Sequence, residues 1–181
     1  GGDVSITSGA STLGQSGSIN LMTETGDSSG QILISTGQSQ NGQSGNLQLK
    51  TNPSMSGTSG SILMSTSAGS LGGGDIVLEA GENDALATVG GSIIMTAGNG
   101  QTGSTQEGGA LEIRAGSGDL ATGGNINVVS GRSNAVGGSI SIGSTSAELS
   151  GSSGSIAVKT GEASVGSSGS INMEIGSSAG S

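Results

Sequence analysis

The chain has 181 residues, of which 39 are glycine and none is Cys, His, Phe, Tyr or Trp. Thirteen acidic residues against four basic ones give a net charge of −9 at pH 7. Without His or Cys, the common zinc, haem and iron–sulfur sites and the Ser–His–Asp or Cys–His nucleophiles are excluded. An acidic chain without aromatic side chains also lacks the groups that hold a phosphate backbone or stack on bases, so we expect no nucleic-acid partner.

No apolar run approaches the roughly 18 residues that cross a bilayer, so we expect no membrane insertion. The first residue is Gly1 rather than Met, which we interpret as the start of a segment of a longer protein. A Gly/Ser-rich composition is also typical of flexible linkers. Disorder is favoured by high charge, however, and here charged residues make up only 9% of the chain and hydrophobic ones 30%.

The chain is built from repeated units, each starting with a glycine, then one residue, an aliphatic residue, any residue and a second aliphatic residue. The twelve starting glycines are Gly2, Gly17, Gly30, Gly45, Gly60, Gly74, Gly91, Gly109, Gly124, Gly138, Gly154 and Gly169. The first aliphatic column consists of Val4, Ile19, Ile32, Leu47, Ile62, Ile76, Ile93, Leu111, Ile126, Ile140, Ile156 and Ile171. The second consists of Ile6, Leu21, Ile34, Leu49, Met64, Leu78, Met95, Ile113, Val128, Ile142, Val158 and Met173. A random Gly/Ser linker would not keep these columns through every unit.

Alternation of aliphatic and variable residues is typical of a β-strand with one buried face. A column of small residues follows each strand and predicts a corner at which the chain passes close to its neighbour. These corner residues are Ser8, Thr23, Thr36, Thr51, Thr66, Ala80, Ala97, Ala115, Ser130, Ser144 and Thr160, with Ile175 as the exception. The rest of each unit varies in length, mainly at Glu82–Gly90 and Asn99–Gly108, which we interpret as loops.

Modest apolar residues in the second half of seven units predict a weaker second wall facing the first. They are Leu13, Leu71, Ala85, Leu120, Ala135, Leu149 and Val165. One unit cannot bury its aliphatic face alone, but stacked units joined by parallel backbone hydrogen bonds can. The sequence therefore predicts an all-β fold: a single domain over residues 1–181, a parallel β-solenoid (β-helix) of about 12 coils of about 15 residues. Crossover chirality favours right-handed coils.

The element (Ser/Gly)-Gly-x-Ile-x-(Ile/Leu/Val/Met)-x-(Thr/Ser/Ala)-Gly covers essentially the whole chain. In this it resembles the Gly/Ser-rich β-helical repeat arrays of very large exported or cell-surface proteins of algae and bacteria. The resemblance implies an extracellular or cell-surface location and an adhesin, filament or coat role. It carries no catalytic residue over to this chain.

The positions between the two aliphatic columns face outward by parity, and a partial apolar stripe crosses the third to the seventh unit at Leu33, Leu63, Val77 and Ile94. Two interpretations stay open. The four residues form an exposed interface patch, or a neighbouring loop or the second half of the same coil covers them.

Carboxylates gather at Asp75, Glu79, Glu82 and Asp84, where oxygen ligands of this kind suit Ca²⁺. The nonapeptide calcium repeat is absent, so we expect a solvated acidic loop and no cofactor. Paired carboxylates on β-helices can also act in glycoside hydrolysis, but no basic or aromatic group accompanies these, so we expect no enzyme.

Ice binding requires a flat, regular array of Thr side chains. The Thr column here has the parity of the aliphatic columns, and a spacer role at a corner is favoured. We therefore expect an extracellular structural segment that acts as a stiff spacer or filament-forming unit, with further copies or repeats stacked end to end. The alternative is an adhesin-type or ice-binding module that uses an outward-facing surface.

Overall fold

The computed structural model describes residues 1–83, 89–101, 106–147 and 151–177. Throughout these ranges the backbone is coil and forms neither a helix nor a β-strand. The prediction of an all-β parallel β-solenoid, or β-helix, with about twelve right-handed coils is therefore wrong. In the same ranges no helix is long and apolar enough to span a membrane.

The chain divides into two units, Gly1–Ile93 and Ile94–Ser181. Both are built on the same local plan. From its starting glycine to its corner residue each repeat runs without a bend, and we call this stretch the aliphatic segment. From the corner residue to the next starting glycine the chain forms a loop.

Each loop bends once wherever all of its residues are described. The bends lie at residues 12–14, 27–28, 40–42, 55–57, 70–71, 119–121, 134–136 and 164–166. Parts of the long loops predicted at Glu82–Gly90 and Asn99–Gly108, namely residues 84–88 and 102–105, lie outside the described residues.

The ends of each loop meet at what we call the neck, the contact between a corner residue and the next starting glycine. At all eleven starting glycines from Gly17 to Gly169, a side-chain atom of the preceding corner residue lies 3.2–3.7 Å from the place a Cβ would occupy. Each corner residue thus lies close to the next starting glycine, but the described bends lie in the middle of the loops and not at the predicted corners. The two ends of a loop therefore lie side by side at each of the eleven necks.

The necks explain why no solenoid forms. A parallel ladder requires successive strands to lie side by side. Each neck instead places the start of one aliphatic segment beside the end of the preceding segment. Among the described residues, backbone–backbone hydrogen bonds occur at necks and at Gly69–Gly72, and none joins two aliphatic segments.

No side chain in the described part of the chain is buried. The accessible surface is 18458 Å², whereas a compact monomer of this mass exposes about 7,700 Å². The half-buried positions are Gly100 and five corner residues: Ser8, Ala80, Ala97, Ser130 and Thr160.

The predicted second wall is also wrong. Leu13, Leu71, Leu120 and Val165 are 96–103% exposed, and Ala135 is exposed as well. Ala85 and Leu149 lie outside the described residues. The described members of this set therefore form no second layer against the aliphatic segments.

Candidate functional site

The four outward apolar residues are all exposed in the structure. The exposed fractions are 75% for Leu33, 86% for Leu63, 77% for Val77 and 84% for Ile94. No described part of the chain covers these side chains. Leu33, Leu63 and Val77 belong to the unit Gly1–Ile93, and Ile94 begins the other unit. Their role as an interface stays a prediction.

Each outward residue stands between two column residues, so it is the middle of three consecutive aliphatic residues. These runs are Ile32–Leu33–Ile34, Ile62–Leu63–Met64, Ile76–Val77–Leu78 and Ile93–Ile94–Met95. Successive side chains of an unbent, extended backbone alternate sides. A run of three therefore presents aliphatic groups on both sides of the backbone.

Two polar pairs show this alternation directly. Asn172 donates a side-chain hydrogen bond of 2.8 Å to Glu174, and Arg114 forms an ion pair with Glu112. In both cases the partners are two residues apart and occupy the outward positions. The side chains of the Arg114–Glu112 pair are 78% and 64% exposed, so it contributes little to stability.

In four necks of the unit Gly1–Ile93 the corner residue is threonine, and its side chain lies against the next starting glycine. The nearest Thr side-chain carbon lies 3.5–3.6 Å from the Cβ position of Gly30, Gly45, Gly60 and Gly74. Two of these threonines also donate a hydroxyl hydrogen bond to the carbonyl oxygen of the next starting glycine. The donor–acceptor distances are 3.3 Å for Thr23 to Gly30 and 2.9 Å for Thr66 to Gly74. The Thr23 and Thr66 hydroxyls are therefore already hydrogen-bonded within their necks.

Where the corner residue is Ala or Ser and a glycine follows it, a backbone hydrogen bond holds the neck instead of a threonine side chain. In all five such necks the amide of the starting glycine donates a hydrogen bond of 2.8–2.9 Å to the carbonyl of the residue after the corner. The donors are Gly17, Gly91, Gly109, Gly124 and Gly138. At Gly17 the Ser8 hydroxyl adds a second bond of 2.8 Å to the Gly17 carbonyl.

The loops contain a second motif that was absent from the sequence predictions. In three units a serine nine residues after the starting glycine accepts a 3.0 Å hydrogen bond from the amide of a glycine three residues further on. The pairs are Ser11–Gly14, Ser39–Gly42 and Ser54–Gly57. Such side-chain acceptors fix turns. The pattern Ser-x-x-Gly-x-Ser-Gly marks these three turns in the sequence.

One unit makes the same bend without the serine. Ala163 replaces the serine there, and Gly166, at the position of Gly14, Gly42 and Gly57, adopts a φ of +98°. Only glycine takes this conformation without strain. The positive φ of Gly166 thus makes the turn here, where a serine hydroxyl fixes it in the other three units.

The acidic cluster does not form a metal site in the described residues. Among them, no group of three or more Asp, Glu, His or Cys side chains is placed to hold a metal ion. Asp84, one of the four predicted carboxylates, lies outside the described residues. No cavity was found in the part of the chain that the structure describes.

Comparisons with protein-family models, with curated proteins and with solved structures found no match for this chain. The resemblance to exported repeat arrays therefore stays an expectation from the sequence alone.

Proposed function

We propose that this chain is a non-catalytic structural segment of an extracellular or cell-surface protein, and that it acts as a modular spacer or filament-forming unit. The observation that supports this most is the recurrence of the neck. A corner residue meets the next starting glycine at every one of the eleven junctions from Gly17 to Gly169. Each unit thus repeats one local structure without depending on distant parts of the chain, as expected of a spacer lengthened by adding units.

The chemistry of the sequence supports a mechanical role. It contains no His or Cys to act as nucleophile, base or soft metal ligand. We therefore expect no catalysis and no cofactor. The partners we propose are further copies or repeats of the same kind, joined end to end.

An adhesin-type role is the second candidate, and the exposed apolar positions favour it. Leu33, Leu63 and Val77 are at least 75% exposed, so their side chains are available to contact a partner. Ice binding receives less support, because the Thr23 and Thr66 hydroxyls donate hydrogen bonds within necks.

The experiment that tests the proposal is negative-stain electron microscopy of the native assembly that contains this chain. The structural role predicts filaments of uniform width, or stalks of constant length. An adhesin role predicts that the purified chain binds cells or glycans. Pull-down on immobilised glycans measures this binding. Turnover of a substrate by the purified chain would contradict both roles.

A further inference from the structure

Two asparagines of this chain stand directly before a glycine. Asn41 precedes Gly42 and Asn99 precedes Gly100, whereas a residue larger than glycine follows each of the other eight asparagines. Asparagine is among the thermolabile residues of proteins. Its side-chain carbonyl carbon is open to attack by the backbone nitrogen of the next residue, and glycine has no Cβ to hinder that attack. On sequence alone, both pairs are candidates for this reaction.

The structure leaves the Asn41–Gly42 pair open. Both residues are exposed, and both lie in the bend at residues 40–42. Apart from its chain neighbours, the one atom of the described residues within 4 Å of a Cβ built on Gly42 is the Ser39 Oγ, at 3.6 Å. The Gly42 nitrogen and the Asn41 side chain can therefore move toward each other without displacing other groups, at a loop tip of the kind where chains are most easily modified.

The Asn99–Gly100 pair has different surroundings. Gly100 is half-buried, and a Cβ built on it would overlap the Gln106 carbonyl oxygen and stand 3.1 Å from the Glu107 carbonyl carbon. The backbone at Gln106 and Glu107 therefore packs against Gly100. Attack by the Gly100 nitrogen requires this packing to open first, so Asn99 is the slower of the two sites.

The Gly42 amide is restrained in one way. It donates a 3.0 Å hydrogen bond to the Ser39 Oγ, and this bond fixes the turn. The nitrogen becomes a nucleophile when it gives up that proton, so the bond to Ser39 slows the attack without preventing it. The Ser54–Gly57 turn has the same 3.0 Å bond but no asparagine, since Ser56 stands at the matching position.

We infer that Asn41 is a modification site that deamidates spontaneously in water. Hydroxide removes the Gly42 amide proton, and the nitrogen forms a bond to the Asn41 Cγ, which closes a five-membered succinimide ring. The Cγ–Nδ2 bond breaks, and the side-chain nitrogen takes up a proton from water and leaves as ammonia. Water then opens the ring at one of its two carbonyls, giving aspartate or isoaspartate. No group is oxidised or reduced, and water is the one co-reactant.

The reaction changes the charge of a neutral stretch of the chain. Residues 28–49, between Asp27 and Lys50, contain no charged side chain. Deamidation places a carboxylate in the loop near the middle of this stretch, and the isoaspartate product also adds one carbon to the backbone of the turn. Repulsion between copies at this loop rises accordingly. The inference goes beyond the structural role proposed above and does not rest on it.

The test is mass spectrometry of the full chain after incubation at neutral and at mildly alkaline pH. Cleavage after Lys50 and Arg114 by trypsin places Asn41 and Asn99 on separate peptides, Gly1–Lys50 and Thr51–Arg114. We expect the mass increase that replaces an amide by a carboxylic acid to accumulate in Gly1–Lys50, at Asn41, several times faster than at Asn99. The rate should rise in proportion to the hydroxide concentration, and two products of equal mass should separate by chromatography.

Three variants test the geometry. Ser39→Ala removes the bond to the Gly42 amide and should speed deamidation of Asn41 about two- to tenfold. Its matched control, Ser54→Ala, removes the equivalent bond in the next loop and should leave the rate at Asn41 within about twofold of wild type. Gly42→Ala adds a methyl group at an ordinary 3.6 Å from the Ser39 Oγ, so the turn is kept, and it should suppress most of the conversion by hindering the nitrogen.

The reference is a short unstructured peptide that contains Asn-Gly, incubated in parallel. An unchanged Asn41 under conditions that convert this peptide would overturn the inference, as would equal conversion of Asn41 and Asn99. Equal rates in Ser39→Ala and wild type would overturn the restraint by Ser39. These outcomes are separate from the proposed function, which is decided by the filaments or stalks of the native assembly whether or not Asn41 is modified.

Discussion

The repeats between Gly17 and Gly74 and those between Ile94 and Gly138 follow the same sequence pattern but close their loops differently. In residues 17–74, all of which the structure describes, the four necks use threonine and none has a backbone hydrogen bond. In residues 94–138 the necks at Gly109, Gly124 and Gly138 use Ala or Ser, and each has a backbone hydrogen bond of 2.8–2.9 Å.

The corner residue decides which neck forms, and the glycine after it does not. Thr36 and Thr160 are followed by Gly37 and Gly161, just as Ala115 is followed by Gly116. Both threonine necks nevertheless close on the Thr γ-methyl at 3.6 Å. The γ-methyl keeps the two backbones apart, whereas the single Cβ of alanine lets the amide reach the carbonyl. The γ-methyl group therefore determines which kind of neck forms. With it, the threonine side chain contacts the starting glycine (a side-chain neck), and without it a backbone hydrogen bond forms (a backbone neck).

The largest expected effect comes from adding a methyl group to a starting glycine in each region. A Cβ at Gly124 would stand 3.3 Å from the Gly116 amide nitrogen and 3.4 Å from the Ala115 Cβ. Gly124→Ala should therefore open its neck and lose one hydrogen bond, worth about 0.5–1.5 kcal/mol. We expect the amide of residue 124 to exchange about two- to tenfold faster, measured by NMR hydrogen exchange.

The matched control is Gly60→Ala, whose Cβ would meet the Thr51 γ-methyl at an ordinary 3.5 Å. We expect chemical shifts around Thr51 to stay close to those of wild type. Neck opening at Gly60 as large as that at Gly124 would contradict the distinction between the two necks.

A smaller effect is expected from exchanging the corner residues. Thr160→Ala should allow the Gly169 amide to donate to the Gly161 carbonyl, which converts a side-chain neck into a backbone neck. Ala115→Thr should do the reverse at Gly124. Each change should shift neck stability by about 0.5–1 kcal/mol in opposite directions, read as slower exchange at Gly169 and faster exchange at Gly124. Changes of the same sign in both variants would show that the corner residue does not control the neck.

The smallest effect is expected from the threonine hydroxyl. Thr66→Val keeps a β-branched side chain but removes the 2.9 Å hydroxyl bond to the Gly74 carbonyl. Because this bond is exposed to water, we expect a loss of about 0.5 kcal/mol. The carbonyl ¹³C shift of Gly74 should move. At Thr36, where the structure shows no such bond, Thr36→Val should leave the Gly45 carbonyl shift unchanged, and an equal movement there would count against the bond.

The sequence predicts local features of this chain better than its long-range pairing. The small corner column anticipates the close approach at Gly138, where a Cβ would stand 3.2 Å from that of Ser130. Alternation of aliphatic residues anticipates that Asn172 and Glu174 share a side. The alternation of aliphatic and variable residues does not determine whether one aliphatic segment lies beside the next or follows it end to end. Parity predicted exposed side chains at Leu33 and Leu63 and buried ones in the two columns, but the structure leaves both sets exposed, because burial depends on long-range pairing that alternation does not specify.

Residue-level hydrogen exchange on the dilute full chain distinguishes loops that close at necks from aliphatic segments that pair with one another. We expect the amides of Gly109, Gly124 and Gly138, which donate the neck bonds, to exchange about two- to tenfold slower than those of Ile126–Val128. Strong protection running through Ile126–Val128 and its counterparts in neighbouring repeats would show that the aliphatic segments are paired after all, because a continuous backbone ladder protects those amides.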